Sequence, residues 1–149
     1  MYKRILVPLD ISKREEAILN HVENLSLHYN AKVVFLYVEE EALMLGWDEV
    51  IDFPIYHKKR EQQKKKAESY LTDLQRQFSE KGIETQTRIT YGSFLKSILS
   101  TAEDIEADLI AMTTHGMNGR SKRFYENTLA CLLERTNRPF LIIHTDGDR

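Results

Sequence analysis

The sequence contains a single cysteine, Cys131, among its 149 residues. One cysteine excludes an internal disulfide and a cysteine-based metal cluster, and it is ordinary for a protein of the reducing cytosol. Histidine is also scarce, and its five positions have no spacing typical of metal ligands; His21 and His28, for example, are seven residues apart on one predicted helix. We therefore predict no metal site and a cytoplasmic location.

Neither a large excess of charge nor a long apolar run is present. The 23 acidic and 21 basic residues give a formal net charge of −2, so no overall positive field attracts nucleic acid or anionic lipid. The longest strongly apolar run, Val33 to Val38, is far shorter than the roughly 18 residues that span a bilayer. The lysine-rich residues 58–66 are interleaved with glutamate, which is typical of a solvated helix face. We predict no export signal, no membrane span and no nucleic-acid partner.

Common catalytic motifs are missing as well. The chain has no Walker-type Gly-Lys-Ser/Thr, no Gly-x-Gly-x-x-Gly and no Gly-x-Ser-x-Gly, which removes the commonest kinase-like, dehydrogenase and hydrolase templates. Nothing supplies an obvious nucleophile with a neighbouring base. A non-enzymatic protein is therefore the main prediction, and a small enzyme that uses His115 is kept as an alternative because His115 follows a predicted strand.

The pattern that is present predicts one α/β domain over residues 1–149. The hydrophobic content of 42% and the charged content of 30% fit a single globular core. Strands are predicted over residues 3–9, 32–38, 83–90, 108–113 and 139–144, and helices after Ser12, over 58–80, after Ser93 and over 125–136, with an insertion over 39–57. Asn30 and Gly82 are predicted to end the first two of these helices. This alternation predicts an open five-stranded parallel sheet with helices on both faces. The period-two pattern of the third strand places it at an edge.

Binding residues are expected at the carboxyl ends of these strands, where open α/β sheets have their crevice. Asp10 follows the first strand and is suited to accept hydrogen bonds from ribose hydroxyls, although it could instead order the turn before Ser12. The apolar end of the second strand, at Val38, can sandwich a flat base. Glycines after the fourth strand, Gly116 and Gly119, let backbone amides approach a phosphate.

Four segments of the chain resemble the universal stress protein family, and the resemblance covers nearly the whole length. They are Lys3 to Asp10, Leu36 to Val38, Ala107 to Gly116, and Arg138 to Ile143. The resemblance implies a Rossmann-like fold of the adenine nucleotide alpha hydrolase type and a role in the stress response. It also implies a homodimer through the last strand, whose apolar residues Phe140 to Ile143 need a partner or cover at a sheet edge.

The chain departs from the phosphate motif of this family. Members that bind ATP carry a glycine, two residues, a second glycine, nine residues, and a third glycine followed by serine or threonine. Registered on Gly116, this sequence has Thr113, Glu126 and Asn127 at the other three positions. A carboxylate at a helix start opposes an arriving triphosphate, so tight ATP binding is not expected. The basic residues from Arg120 to Arg123 either compensate in part or form a solvated loop.

We therefore predict a non-enzymatic, stress-linked regulatory or protective homodimer with weak or absent ATP binding. The alternative is an ATP-binding switch or slow ATPase that uses the same crevice. No cofactor is obligatory in this prediction, and the candidate ligands are ATP, ADP and AMP. The predicted binding residues are Pro8, Leu9, Asp10, Val38, Met112, Thr113, His115, Gly116, Gly119, Arg120, Glu126 and Asn127.

Overall fold

A computed structural model of the chain describes residues 1–9, 16–39, 53–113 and 122–144. Strands and helices alternate along it: β1 (Arg4–Leu9), α1 (Glu16–Tyr29), β2 (Lys32–Glu39), α2 (Phe53–Glu80), β3 (Thr85–Tyr91), α3 (Phe94–Asp104), β4 (Leu109–Thr113), α4 (Lys122–Arg135) and β5 (Phe140–Ile143). All the strand pairs are parallel, and the order in the sheet is β3-β2-β1-β4-β5. The predicted α/β fold with a five-stranded parallel sheet is confirmed, and so is the edge position of β3.

Both faces of the sheet are buried, because the inner strands carry apolar side chains on both faces. Alternate residues of β2, such as Val33 and Phe35, join a core cluster with α1 and α2, while Val34 and Leu36 join a second cluster with α3 and α4. Strand β1 ends at Leu9 as predicted, and Pro8 lies beside Leu36 of β2. Continuous aliphatic strands thus produce a three-layer arrangement with two hydrophobic cores.

Helix ends agree with the predicted signals where these are described. Asn30 adopts a left-handed φ of 54° after α1, and Gly82 has a φ of 81° after α2. The Ser93 side chain accepts a hydrogen bond from the Lys96 amide at 3.3 Å and so caps α3. These residues stop or start a helix at the point where the chain must turn back toward the sheet.

Two boundaries differ from the prediction. Helix α2 begins at Phe53 rather than at residue 58, so the last five residues of the predicted 39–57 insertion are helical, and Glu39 belongs to β2. Pro54 does not prevent this, because an amide at the start of a helix has no intrahelical partner to lose. Helix α4 begins at Lys122, three residues before the predicted start at Tyr125, since no glycine or proline interrupts this stretch.

The left-handed conformation of Gly82 gives a test of the α2 end. A Cβ placed on Gly82 meets no heavy atom within 4 Å, so the cost of a side chain comes from the backbone conformation alone. We expect Gly82→Ala to lower the free energy of unfolding by about 1 kcal/mol. Urea denaturation measures the change. Gly82→Asn is the matched control and should lose less, because asparagine tolerates this conformation; equal losses would contradict the explanation.

No helix in the described ranges is both long enough and apolar enough to cross a lipid bilayer.

Candidate functional site

The winding of the sheet reverses between β1 and β4. From β1 the chain moves outward to β2 and β3, and it then returns to the other side of β1 to add β4 and β5. Ile5 pairs with Leu109 and Leu6 with Ile110, so continuing this register places the strand ends Leu9 and Thr113 side by side. Helix α1, which follows β1, packs on one face of the sheet, and α4, which follows β4, packs on the other. Open α/β sheets have their crevice between two such strand ends.

Five predicted binding residues lie at this end of the sheet, where the structure brings them together. Leu9 and Thr113 are the last residues of β1 and β4, and Val38 and Met112 are the second-last residues of β2 and β4. All four are buried, and so is Pro8, which precedes Leu9. They therefore supply an apolar floor to the crevice, with the Thr113 hydroxyl as its polar exception. This floor suits a flat ring more than a charged group.

The remaining predicted binding residues fall on other parts of the chain. Asp10, His115, Gly116, Gly119 and Arg120 lie outside the described residues.

Glu126 and Asn127 both lie in α4, and Asn127 is exposed. The expectation that Glu126 stands at the start of this helix is wrong. Since α4 begins at Lys122, Glu126 occupies its second turn, and no acidic residue is in the first. The unpaired amides of a helix belong to its first turn, so residue 126 lies beyond the amides that would bind a phosphate.

A polar network at the opposite end of the sheet fixes β1 against β4. The Asp108 carboxylate accepts hydrogen bonds from the backbone amides of Lys3 and Arg4, at 2.8 and 2.9 Å. The Asp108 amide in turn donates to the Arg4 carbonyl at 2.8 Å. Arg4 also pairs with Glu106 at 3.1 Å. Because this network holds the amino ends of both strands, it sets the relative position of their carboxyl ends, which form the crevice.

A second group of polar side chains lies beside the crevice, at the carboxyl ends of β2 and β3, and sequence reasoning did not identify it. Glu39, Arg60, Glu61, Lys64 and Tyr91 line a cavity of about 240 Å³. The Arg60 guanidinium and the Lys64 ammonium lie 5.2 and 6.0 Å from the centre of the Tyr91 ring. The hydrogen bond to the Tyr91 hydroxyl raises the pKa of Lys64 above its usual value. This cluster is called the β2–β3 pocket below.

Glu39 is the unusual member of the β2–β3 pocket. Its side chain is only 7% exposed, although it ends a strand, and its Oε1 lies 3.7 Å from Arg60 Nε. A glutamate at the end of an apolar strand is ordinary in sequence, and among the described elements α2 brings Arg60 against it. No signal in the sequence connects residues 39 and 60.

Potential metal ligands do not cluster in the part of the chain that is described. No group of three or more histidine, cysteine, aspartate or glutamate side chains comes close enough there to hold a metal ion.

Comparison with known proteins gives a consistent result in sequence and in fold. The model of the family described as Universal stress protein family matches residues 1–144. Universal stress protein MJ0577 of Methanocaldococcus jannaschii is 25% identical, and the alignment covers 96% of this chain and 95% of that protein. The structure of UspA from Lactobacillus plantarum superposes with a TM-score of 0.78 at 21% identity, covering 95% of this chain and 97% of that one.

Two further structures with the same fold contain adenine nucleotides. A universal stress protein in complex with cAMP has a TM-score of 0.65 at 18% identity, covering 96% of this chain and 97% of its own. The universal stress protein from Archaeoglobus fulgidus in complex with dAMP has a TM-score of 0.62 at 16% identity, covering 95% and 98%. A family match over residues 1–144, together with the shared fold, establishes that this chain belongs to the universal stress protein family.

Proposed function

We propose that this chain is a non-enzymatic, stress-linked regulatory or protective protein whose crevice binds an adenine mononucleotide. The observation that carries the proposal is the reversal between β1 and β4, which puts Leu9 and Thr113 side by side over a buried apolar floor. Parallel sheets bind ligands at such a point. The complexes of family members with cAMP and dAMP support an adenine nucleotide as the ligand class.

The phosphate end of the crevice favours a short phosphate chain over a long one. A buried threonine, Thr113, stands where ATP-binding members have a glycine, so the backbone has less room to approach a phosphate. The later glycine and hydroxyl positions hold Glu126 and Asn127, both within α4. One phosphate can still be stabilised by the amino end of α4, where Lys122 and Arg123 stand in the first turn. This arrangement supports AMP or a cyclic monophosphate.

The same first turn favours one second candidate, an ATP-binding switch. Lys122 and Arg123 add two positive charges at a helix start that carries no acidic residue. Such a turn attracts a triphosphate more strongly than a monophosphate. The two candidate functions therefore differ in whether AMP or ATP binds more tightly, and both affinities can be measured.

Calorimetry on nucleotide-free protein with AMP, ADP and ATP distinguishes them. We expect AMP to bind most tightly and ATP about fivefold more weakly, a difference of about 1 kcal/mol, because Thr113 in place of a glycine leaves a longer phosphate chain less room to approach the backbone. Micromolar ATP binding that exceeds AMP binding, is lost in Gly116→Ala and is strengthened in Glu126→Gly would favour the switch instead. Hydrolysis that survives Gly116→Ala but disappears in His115→Ala would show an enzyme and contradict the proposal.

We also propose that two copies associate through β5. This strand is at the edge of the sheet, and its four apolar residues Phe140–Ile143 are all only partly buried. An apolar edge strand with unpaired backbone groups is stabilised by pairing with another strand, and a second copy of β5 supplies one. The cytoplasmic location stays a prediction from the single cysteine.

A further inference from the structure

A second cavity lies toward the amino ends of β1, β2 and β3, at the opposite end of the sheet from the crevice. Its volume is about 250 Å³, and its walls are side chains of these three strands and of the residues that close α3. The chain segments that meet here are residues 3–6, 31–34, 84–88 and 104–108, and all of them belong to the described residues. This cavity is called the amino-end cavity below.

Each of these strands places one cation on the face of the sheet that α3 and α4 cover. Arg4 lies opposite Lys32 in the register of β1 and β2. Arg88 lies opposite Leu36, and Leu36 shares its face with Lys32 because the side chains of a strand alternate. Like charges on neighbouring strands repel each other, so this row of three cations requires negative groups nearby. The chain gives a hydrogen-bonded partner to Arg4, which donates to Glu106 at 3.1 Å.

Lys32 and Arg88 keep most of their hydrogen-bonding capacity. Their ion-pair partners are Glu84 at 3.8 Å and Asp104 at 3.6 Å, and both distances are too long for a hydrogen bond. The side chains of the two cations are 36% and 32% exposed, whereas those of the two carboxylates are 76% and 64% exposed. The positive groups therefore lie closer to the interior of the cavity, and their negative partners lie closer to solvent.

The positions of these two cations give the amino-end cavity two charged ends. In the sheet Arg88 is level with Leu36, four residues beyond Lys32, so the two cationic residues are about 13 Å apart along the strands at their Cα atoms. Gln86 and Val34, which pair in the register, line the cavity between them. This lining is complementary to a short uncharged body that carries a negative group at each end.

We propose that the amino-end cavity is a second ligand site and that it binds a small organic dicarboxylate, with one carboxylate at Lys32 and the other at Arg88. A guanidinium presents two N–H groups that match the two oxygens of a carboxylate. Asp104 does not prevent this, because its ion pair with Arg88 is exposed, and exposed pairs stabilise a protein little. The ligand carboxylate replaces it at the guanidinium. This inference is independent of nucleotide binding in the crevice.

Titration of ¹⁵N-labelled protein with succinate, followed by NMR, measures the affinity and locates the site. Butyrate is the matched probe, because it has the same chain length with one carboxylate. We expect succinate to bind about 10- to 100-fold more tightly, as for one additional charge-assisted hydrogen bond, with the largest amide shifts in residues 86–88 and 104–106. Equal binding of the two, no binding of succinate at about 10 mM, or tighter binding of inorganic phosphate would overturn the proposal.

Two substitutions in one ion pair should change the affinity in opposite directions. Arg88→Gln removes a charged donor to the ligand, so succinate should bind at least about tenfold more weakly. Asp104→Asn removes the carboxylate that competes for Arg88, so succinate should bind about threefold more tightly. A purely structural ion pair predicts no such gain. Weaker binding in both variants, or an unchanged affinity in Arg88→Gln, contradicts the assignment.

Arg76→Gln controls for the change of overall charge. Arg76 pairs with Asp73 at 3.4 Å on α2, which covers the other face of the sheet, so the substitution breaks a similar ion pair away from the cavity. The affinity for succinate should stay within about twofold of that of the unmodified protein. Circular dichroism verifies that the three variants are folded. Equal losses in Arg76→Gln and Arg88→Gln would show a general effect of charge, and the amino-end cavity would not be the site.

Discussion

Phe35→Ala is expected to lower the free energy of unfolding by about 3–5 kcal/mol. Phe35 lies in the middle of β2, is fully buried, and its ring meets that of Phe78 from α2 edge to face at 5.1 Å between centres. Removing the ring leaves a cavity between the sheet and α2 that neighbouring strands cannot close, because β1 and β3 hold β2 on both sides. The loss therefore combines transfer free energy with the cost of an unfilled cavity.

Urea denaturation followed by circular dichroism measures this change. The corresponding fall in melting temperature is roughly 6–20 °C for a chain of this size. Both proteins are compared at one concentration, because association of copies shifts apparent stability. Leu133→Ala is the control: Leu133 is apolar but 49% exposed on α4, so its loss should stay within about 0.5 kcal/mol. A loss below about 1.5 kcal/mol in Phe35→Ala would contradict the packing of Phe35 against α2.

The sequence was sufficient for the strands, several helix ends and the edge position of β3. These features depend on local patterns: a continuous apolar run in β2, alternation in β3, and a cap or left-handed residue at Ser93, Asn30 and Gly82. Each is determined within a few residues of the chain. The parallel sheet followed in turn from the alternation of helices and strands, since right-handed crossovers leave few other arrangements.

The site was predicted in part. Leu9 and Thr113 lie together because they end β1 and β4, and the rule for crevices in parallel sheets anticipates this once the strands are known. Glu126 was misplaced because the start of α4 depends on three residues, Lys122 to Phe124, that carry neither a cap nor a breaker. Aligning the family motif on Gly116 gives the sequence position of each motif residue. It does not show in which turn of the helix that residue lies.

The β2–β3 pocket could not be predicted at all. Its residues are Glu39 at one strand end, Tyr91 at another, and three residues of α2: Arg60, Glu61 and Lys64. Residues 58–66 were interpreted as a solvated basic face, and for most of them this agrees with their exposure. Arg60 is the exception, because the strand end beneath it carries a buried carboxylate. Packing between segments that are distant in sequence determines which of several similar lysines and arginines forms an ion pair. Local sequence patterns do not indicate which one it is.

Ile142→Lys is expected to convert the proposed dimer into a monomer at micromolar concentration. In β5, Leu141 and Ile143 pack against the cluster beneath α1 and Phe140 against the other, whereas Ile142 is partly buried without joining either cluster. Among the β5 residues it is therefore the one whose substitution disturbs the described core least, while it still lies on the edge strand. In a two-fold interface the same surface of both copies takes part, so each substitution is present twice. Ile142→Lys therefore adds two positive charges to the interface, and these repel each other.

Sedimentation equilibrium measures the association, and the design separates an interface effect from unfolding. Since Ile142 is outside both core clusters, the variant should keep the circular dichroism spectrum of the unmodified protein while its mass halves. Leu27→Lys adds the same charge at an apolar residue that is 51% exposed on α1, away from β5, and it should leave the dimer intact. If the unmodified protein is a monomer, or if Ile142→Lys still forms dimers, β5 is not the interface. Its four apolar residues would then be explained as a short strand whose length alone limits edge pairing.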